Sequence, residues 1–506
     1  MKELILAIDA GTSSLKVAVF DLEGKEVVST SKDYPTRFYT SGRVEQNPHD
    51  WWETLIFCLH HLWETGVVSR SIVGIGLTGQ MELCLPLDAK SNLLYPAILY
   101  SDMRAQREAD FIAKTIGGEK FWAYTGNFPR ASMTLAKIMW LKEHLPDLYR
   151  LTQKIVSSSK DYLLFRLTGV HITDPTSAST TGILNIRKRI WEDEILTVAG
   201  ISSSLLPPVL TSTKEAGSVT SEAARVTGLP AGCPVFNGAG DAGASSLGAG
   251  VFDPSRAYCY LGTTGWVATL DTSLPAEPQE GIFVLCDPEP RYYILVAPLL
   301  NAGRAYRWAI EILGYGKEGG YARAEEELKT VSPGSGGVVF LPYLQGERSP
   351  FFDPHARGAF FGLSEATGRA EMLRAVLEGV SFAIRQVIAL LKSKKGCKEL
   401  NFLTLIGGGS QSAVWSQILA DVCGVKIMVP AREVGATCFG AFLLTLAGCS
   451  GFLNRSLADR VLEEGCVYNP SQEARAVYDR LFPIYEKLYP LLKGAFAERA
   501  RVGFCN

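Results

Sequence analysis

Apolar runs and polar breaks follow one another from the start of the chain. Leu4-Ile5-Leu6-Ala7-Ile8 is a short apolar run that breaks at Asp9-Ala10-Gly11-Thr12-Ser13-Ser14 and resumes as Leu15-Lys16-Val17-Ala18-Val19-Phe20-Asp21. The second run opens with the period-two alternation of a half-buried strand. Leu22-Glu23-Gly24-Lys25 supplies the next turn, and Glu26-Val27-Val28 begins a third strand. The pattern predicts an antiparallel meander with a Gly/Thr/Ser first corner. The same grammar returns about half a chain later: strand-like 256–261, the polar turn Gly262-Thr263-Thr264-Gly265, then strand-like 266–271. Two copies of strand, Gly-Thr turn and strand predict an internal duplication into two related α/β halves with a cleft between them.

Further segments fit α/β halves. Asn47-Pro48-His49-Asp50 is a helix-start signal ahead of Trp51-Trp52-Glu53-Thr54-Leu55-Ile56. Ile72-Val73-Gly74-Ile75-Gly76-Leu77 reads as a buried strand running into Thr78-Gly79-Gln80-Met81-Glu82. Residues 371–391 are helix-periodic, 402–406 form a strand that enters Gly407-Gly408-Gly409-Ser410, and 414–422 read as a helix. Glycine is dense between Gly240 and Pro254, which places the boundary there and predicts an N-terminal domain over 1–245 and a C-terminal domain over 246–506.

Composition narrows the function classes. Of 506 residues 47% are hydrophobic and 20% charged, which supplies apolar material for sizeable cores and excludes a disordered chain. Fifty basic and 52 acidic residues leave a net charge of −2, so no nucleic-acid or membrane partner is expected. No stretch approaches the roughly 20 apolar residues of a membrane span. No secretory leader is read at the N-terminus, and the eleven cysteines contain no Cys-x-x-Cys pair, so free thiols in a reducing cytoplasm are expected. The six histidines show no metal-ligand spacing.

Four constellations carry candidate chemistry. Asp9 with Gly11-Thr12-Ser13-Ser14 offers amides and hydroxyls that suit a phosphate, and a carboxylate at the strand end that suits Mg²⁺. An ordinary hairpin corner uses the same residue types. The second copy at Gly262-Thr263-Thr264 favours phosphate, although the P-loop spacing is absent. Asp241, within Asn237-Gly238-Ala239-Gly240-Asp241-Ala242-Gly243, is an acid among small residues that suits a general base for a sugar hydroxyl. By spacing alone a helix cap is the stronger reading. Gly407-Gly408-Gly409-Ser410 lets a flat ligand or phosphate approach a helix start but lacks the Rossmann fingerprint. Gln80, Glu82, Asp102 and Arg104 suit recognition of several hydroxyls, and a solvated loop would use them equally.

Taken together these residues resemble the FGGY carbohydrate kinases, and within them the xylulokinase branch. The resemblance runs through Asp9-Ala-Gly-Thr-Ser-Ser14, Gly79-Gln80-Met81, Asp102-x-Arg104, Lys160-Asp161-Tyr162-Leu163 with Arg166-Leu167-Thr168-Gly169, and Gly240-Asp241. It continues through Leu261-Gly-Thr-Thr-Gly265, Leu341-Pro342-Tyr343-Leu344 with Gly346-Glu347-Arg348, Arg357-Gly358 and Gly407-Gly-Gly-Ser410. It implies two duplicated actin-like, ribonuclease-H-like α/β domains flanking a deep catalytic cleft, the first binding sugar and carrying the base, the second binding nucleotide. It implies ATP and Mg²⁺, with Asp241 as base and Asp9 toward the metal. Gly11, Thr12, Ser13, Gly262 and Thr263 would meet phosphates, and Gly408, Gly409 and Ser410 would lie on the nucleotide side. Gln80, Met81, Glu82, Asp102, Arg104 and Asp241 would line the sugar pocket. D-xylulose, converted to xylulose 5-phosphate, is the implied first substrate; glycerol, erythritol, ribulose or gluconate remain alternatives, as does a nucleotide-dependent binding protein of the same fold. A homodimer is one assembly the resemblance allows. Two departures bear on the sugar: Glu82 stands where xylulokinases usually carry His, and Tyr100-Ser101 where they typically carry Trp-Asn.

Overall fold

The computed structural model describes residues 2–39, 42–275, 277–278, 281–316, 319–393, 400, 402–431 and 435–502. The chain forms two compact units. The first comprises Met1–Gly248, Val284–Ile294 and Glu433–Asp459; the second comprises Ala249–Phe283, Leu295–Arg432 and Arg460–Asn506.

The first unit is built on a six-stranded sheet in the order Glu215–Ser218, Pro234–Gly240, Ile72–Gly79, Leu4–Ala10, Ser14–Asp21, Glu26–Asp33. The meander read at the N-terminus is present: Leu4–Ala10 runs antiparallel to Ser14–Asp21, which runs antiparallel to Glu26–Asp33. Ile72–Gly79 lies parallel both to Leu4–Ala10 and to Pro234–Gly240. Leu6, Ile8, Leu15, Val17 and Val19 form one core with Trp51, Leu55, Leu59 and Leu62 of helix Pro48–Glu64. That helix starts as the sequence signals: the side chain of Asn47 caps it and Pro48 opens its first turn.

Glycines let a second layer come close. A Cβ on Gly76 would stand 2.6 Å from the Ala441 carbonyl oxygen, so helix Ala436–Ser450 lies almost on the strand. The same helix meets helix Asp241–Gly248 through Gly440, where a Cβ would stand 1.8 Å from the Ala244 carbonyl oxygen. The element that begins at Asp241 is therefore fixed by backbone packed on backbone.

The second unit repeats the motif. Arg256–Leu261 runs antiparallel to Gly265–Asp271 and parallel to Phe402–Ile406, and Lys426–Val429 and Cys466–Tyr468 follow beyond. In both units a strand turns through a Gly-Thr corner into its antiparallel partner and has a parallel neighbour on its other side, so the predicted duplication is real. Helices Arg369–Lys392 and Ala413–Cys423 coincide with the helix-periodic segments.

Candidate active site

Three parallel strands of the first unit end level with one another. Ala10 pairs with Gly79, and Gly79 pairs with Gly240. The residues that follow these ends, or just precede them, are Asp9 and Gly11, Gln80, and Asp241. The carboxyl ends of parallel strands are where α/β sheets gather ligand groups, and the register explains why residues so distant in sequence meet there.

The carboxyl of Asp241 senses that of Asp9. Burial pushes the Asp241 carboxyl up to about 7, and the like charge of Asp9 adds to the rise, while the backbone N–H of Ala242 and the charge of Asp174 act as smaller influences. Burial lifts Asp9 to about 6 against the pull of Lys16. Asp9 Oδ1 is buried and has no hydrogen-bond partner among the described residues. A carboxyl near 7 is poised to accept a proton at neutral pH. A second acid with an uncommitted oxygen beside it supplies the hard, anionic ligand that Mg²⁺ takes.

Gln80 is tied to the neighbouring corner. Its backbone N–H donates to the Ala10 carbonyl, and its Nε2 donates to Gln46 Oε1 at 2.7 Å. Gln46 Nε2 in turn donates to the Thr12 carbonyl at 2.6 Å. Gly11, Thr12 and Ser13 form that corner, closed by Gly11 N–H on the Ser14 carbonyl and by the Tyr34 hydroxyl on the Gly11 carbonyl. Met81 covers Gly240, where a Cβ would stand 2.0 Å from Met81 Sδ.

Glu82 is held in an unusual conformation. Its φ is +62°, a left-handed value that costs a side-chain-bearing residue energy and that clusters at functional sites. The buried Lys137 ammonium donates to the Glu82 carbonyl at 2.6 Å, and Ser132 donates to Glu82 Oε1 at 2.8 Å. Burial lowers Lys137 to about 8. Asp102 and Arg104, read from sequence as recognition groups, bind each other. Asp102 accepts from Arg104 Nε at 2.9 Å, from Arg104 Nη2 at 2.7 Å and from the Val44 N–H at 2.6 Å, and Arg104 also reaches Glu45 at 2.7 Å. They form a buried ion-pair wall.

In the second unit the Gly262–Thr263 corner is stitched to helix Gly303–Ile312. Gly303 N–H donates to the Gly262 carbonyl at 2.8 Å, and Arg304 N–H to the Thr263 carbonyl at 3.0 Å. A cavity of about 590 Å³ opens beside Thr263, lined by Arg304, Arg307, Trp308 and Gln345 among others. Arg307 donates to Thr263 Oγ1 at 3.2 Å. Gly407, with φ +93°, turns the chain after Phe402–Ile406; a Cβ on Gly409 would stand 2.7 Å from Leu261 Cβ, whereas one on Gly408 would meet open space. Ser410 spends its hydroxyl on the Gly407 carbonyl. Sequence reasoning passed over Arg304 and Arg307, whose signal was two basic residues one helical turn apart after Asn301-Ala302-Gly303. It also passed over Gln46, Ser132 and Lys137, which have no local signature.

Models of the N-terminal and C-terminal domains of the FGGY family of carbohydrate kinases match residues 4–248 and 257–449. The chain belongs to the FGGY family of carbohydrate kinases. It is an ATP-dependent phosphotransferase acting on a carbohydrate. Xylulose kinase of Escherichia coli K12 is 30% identical over 493 residues, covering 95% of this chain and 100% of that one. A crystal structure described as a xyloylose kinase from Brucella ovis superposes with a TM-score of 0.89 at 30% identity, covering 97% of this chain and 100% of the other. Gluconate kinase from Lactobacillus acidophilus superposes equally well, at 0.89 and 26% identity, over 98% of this chain and 100% of the other. Among the described residues no helix is long and apolar enough to cross a membrane.

Proposed function

We propose that this FGGY kinase phosphorylates a small open-chain ketose or polyol, D-xylulose first among them, and that Asp241 is its general base. The observation that carries the reading is the Asp241 carboxyl, raised to about 7 beside Asp9 at the joint end of three parallel strands. In the step proposed, the sugar hydroxyl oxygen forms a bond to the γ-phosphorus of ATP. The bond from that phosphorus to the β–γ bridging oxygen breaks, ADP leaves, and the hydroxyl proton passes to Asp241. Asp9 would hold Mg²⁺, which when bound neutralises charge on the phosphate oxygens. Gln80, Met81 and Glu82 would bind the sugar, with Asp102 and Arg104 as the wall behind them. Gly11, Thr12, Ser13, Gly262 and Thr263 would bind phosphates, and Gly408, Gly409 and Ser410 would shape the adenosine side. In this reading 1–245 carries sugar binding and the base, and 246–506 carries nucleotide binding.

Xylulose is supported by the names of the relatives, and an uncharged substrate by Glu82. A carboxylate in the left-handed turn next to Met81 repels a sugar acid, which sets gluconate below ketoses and polyols despite the similar gluconate kinase structure. Glycerol-like polyols stay as a second reading, because Glu82 replaces the usual His. A coupled ADP-release assay over ketoses, polyols and sugar acids tests this. Turnover highest with D-xylulose is expected; turnover confined to gluconate would reverse the assignment.

A further inference from the structure

A fully buried ammonium lies beneath the strand that leads to Asp241. Lys160, in helix Ser159–Thr168, has 0% exposure. It pairs with Asp161 Oδ1 at 2.5 Å and Asp174 Oδ2 at 3.0 Å, and lies 3.4 Å from Asn237 Oδ1. Burial works against its charge, but Asp161 and Asp174 hold its pKa above the ordinary lysine value. Burying such a group costs several kcal/mol before its partners compensate, and an apolar side chain of similar volume packs as well. A position kept this way calls for a reason other than packing.

The reason lies in what its partners hold. Asp174 Oδ1 accepts from the backbone of Thr176 and Ser177, and from the Gly240 N–H at 3.4 Å, one residue before Asp241. Asn237 Nδ2 donates to the carbonyls of Thr173, Leu210 and Thr211 at 2.9 to 3.3 Å. Between these two anchors the strand bulges. Its register against Ile72–Gly79 shifts between Phe236 and Ala239, and Gly238 takes φ +71°, where a Cβ would stand 1.8 Å from the Leu77 carbonyl oxygen. A bulge re-aims the residues that follow it, and the residue that follows this one is the proposed base. Lys160 thus touches the residue that opens the bulge and the carboxylate that holds its far end.

We propose that Lys160 and Asp174 are positioning residues for Asp241, the buried pair locking the Asn237–Gly240 bulge so that the Asp241 carboxylate keeps one orientation. This rests on the reading of Asp241 as the base. Lys160 and Asp174 spend their polar atoms on each other, on Asp161 and on the backbone around the bulge, so their effect is expected to pass through Asp241.

The test is a double-mutant cycle on kcat and KM. Lys160→Met should lower kcat by about 10- to 100-fold, the scale of a misplacement of about 1 Å, while KM for ATP and for sugar stays within about threefold. In an Asp241→Asn background the same change should lower kcat no further, because the group it positions is gone. Asp174→Asn should give the same split and serves if Lys160→Met does not fold. Two results overturn the inference while leaving Asp241 as base: an unchanged kcat in folded Lys160→Met, or an equal fall of kcat in both backgrounds. Near-normal turnover of Asp241→Asn would remove the base assignment and this inference with it.

Discussion

Asp241→Asn should make the protein more stable, and the gain should depend on pH in a defined way. The Asp241 carboxyl stands at about 7 in the folded protein, chiefly through burial and then through Asp9, and near 3.9 in the unfolded chain. The folded state therefore binds the proton more tightly. Stability contributed by that proton is present below about pH 4 and is lost as pH rises toward 7. Asparagine does not titrate and removes the loss. At 1.36 kcal/mol per pH unit, the stability gap between variant and parent widens by about 2.3 kcal/mol between pH 5 and pH 7, where the carboxyl is half ionised, and by about 0.4 kcal/mol more by pH 8, then stays level. Urea unfolding of both proteins at pH 5, 6, 7 and 8, with the midpoint and slope of each transition compared, measures it directly. A gap that is the same at every pH, or a variant less stable than the parent at pH 8, would refute the buried, proton-hungry carboxyl on which the reading of the site depends.

Three further changes probe other parts of the account. Arg104→Met leaves the buried Asp102 and Glu45 without their shared cation, and thermal unfolding should show a loss of about 3–5 kcal/mol. Gly76→Ala would drive a methyl to 2.6 Å from the Ala441 carbonyl, so a stability loss of about 1–3 kcal/mol in urea titrations is expected, with KM for ATP unchanged. Arg307→Ala, on the cavity beside Thr263, should raise KM for ATP about tenfold or more in the coupled assay, with KM for sugar unmoved.

Much of this was written locally. Strand and corner alternate with period two in both halves, so the meander, its repeat and the Asn47-Pro48 helix start are visible in short windows. That Asp9, Gln80 and Asp241 lie at strand ends was legible because each adjoins a short apolar strand among small residues. What escaped is what only tertiary pairing creates. Asp102 and Arg104 look like free recognition groups until Val44 and Glu45, some 58 residues away along the chain, take up their polar atoms. The burial of Lys137 and Lys160 has little local signal, because the Glu82 carbonyl and the Asp174 carboxylate that help make it tolerable lie 55 and 14 residues away, with only Asp161 adjacent to Lys160. Helix Ala436–Ser450 folds against a strand from the other end of the chain, and no window reports a glycine-to-carbonyl approach. The spacing around Asp241 favoured a helix cap, and the residue does begin a helix; the acid beside it, Asp9, is what raises its carboxyl further and marks it out.

Following phosphate onto the sugar decides whether Asp241 is the base of a sugar kinase. Parent and Asp241→Asn proteins are given D-xylulose and ATP with Mg²⁺, and the phosphorylated sugar is quantified by mass spectrometry alongside ADP release. The account expects one ADP per xylulose 5-phosphate from the parent. It expects turnover lower by at least about 10²–10⁴-fold in the variant, the contribution of a general base, with sugar affinity by calorimetry kept within a few-fold. Phosphorylated sugar formed at near-parent rate by Asp241→Asn would contradict it.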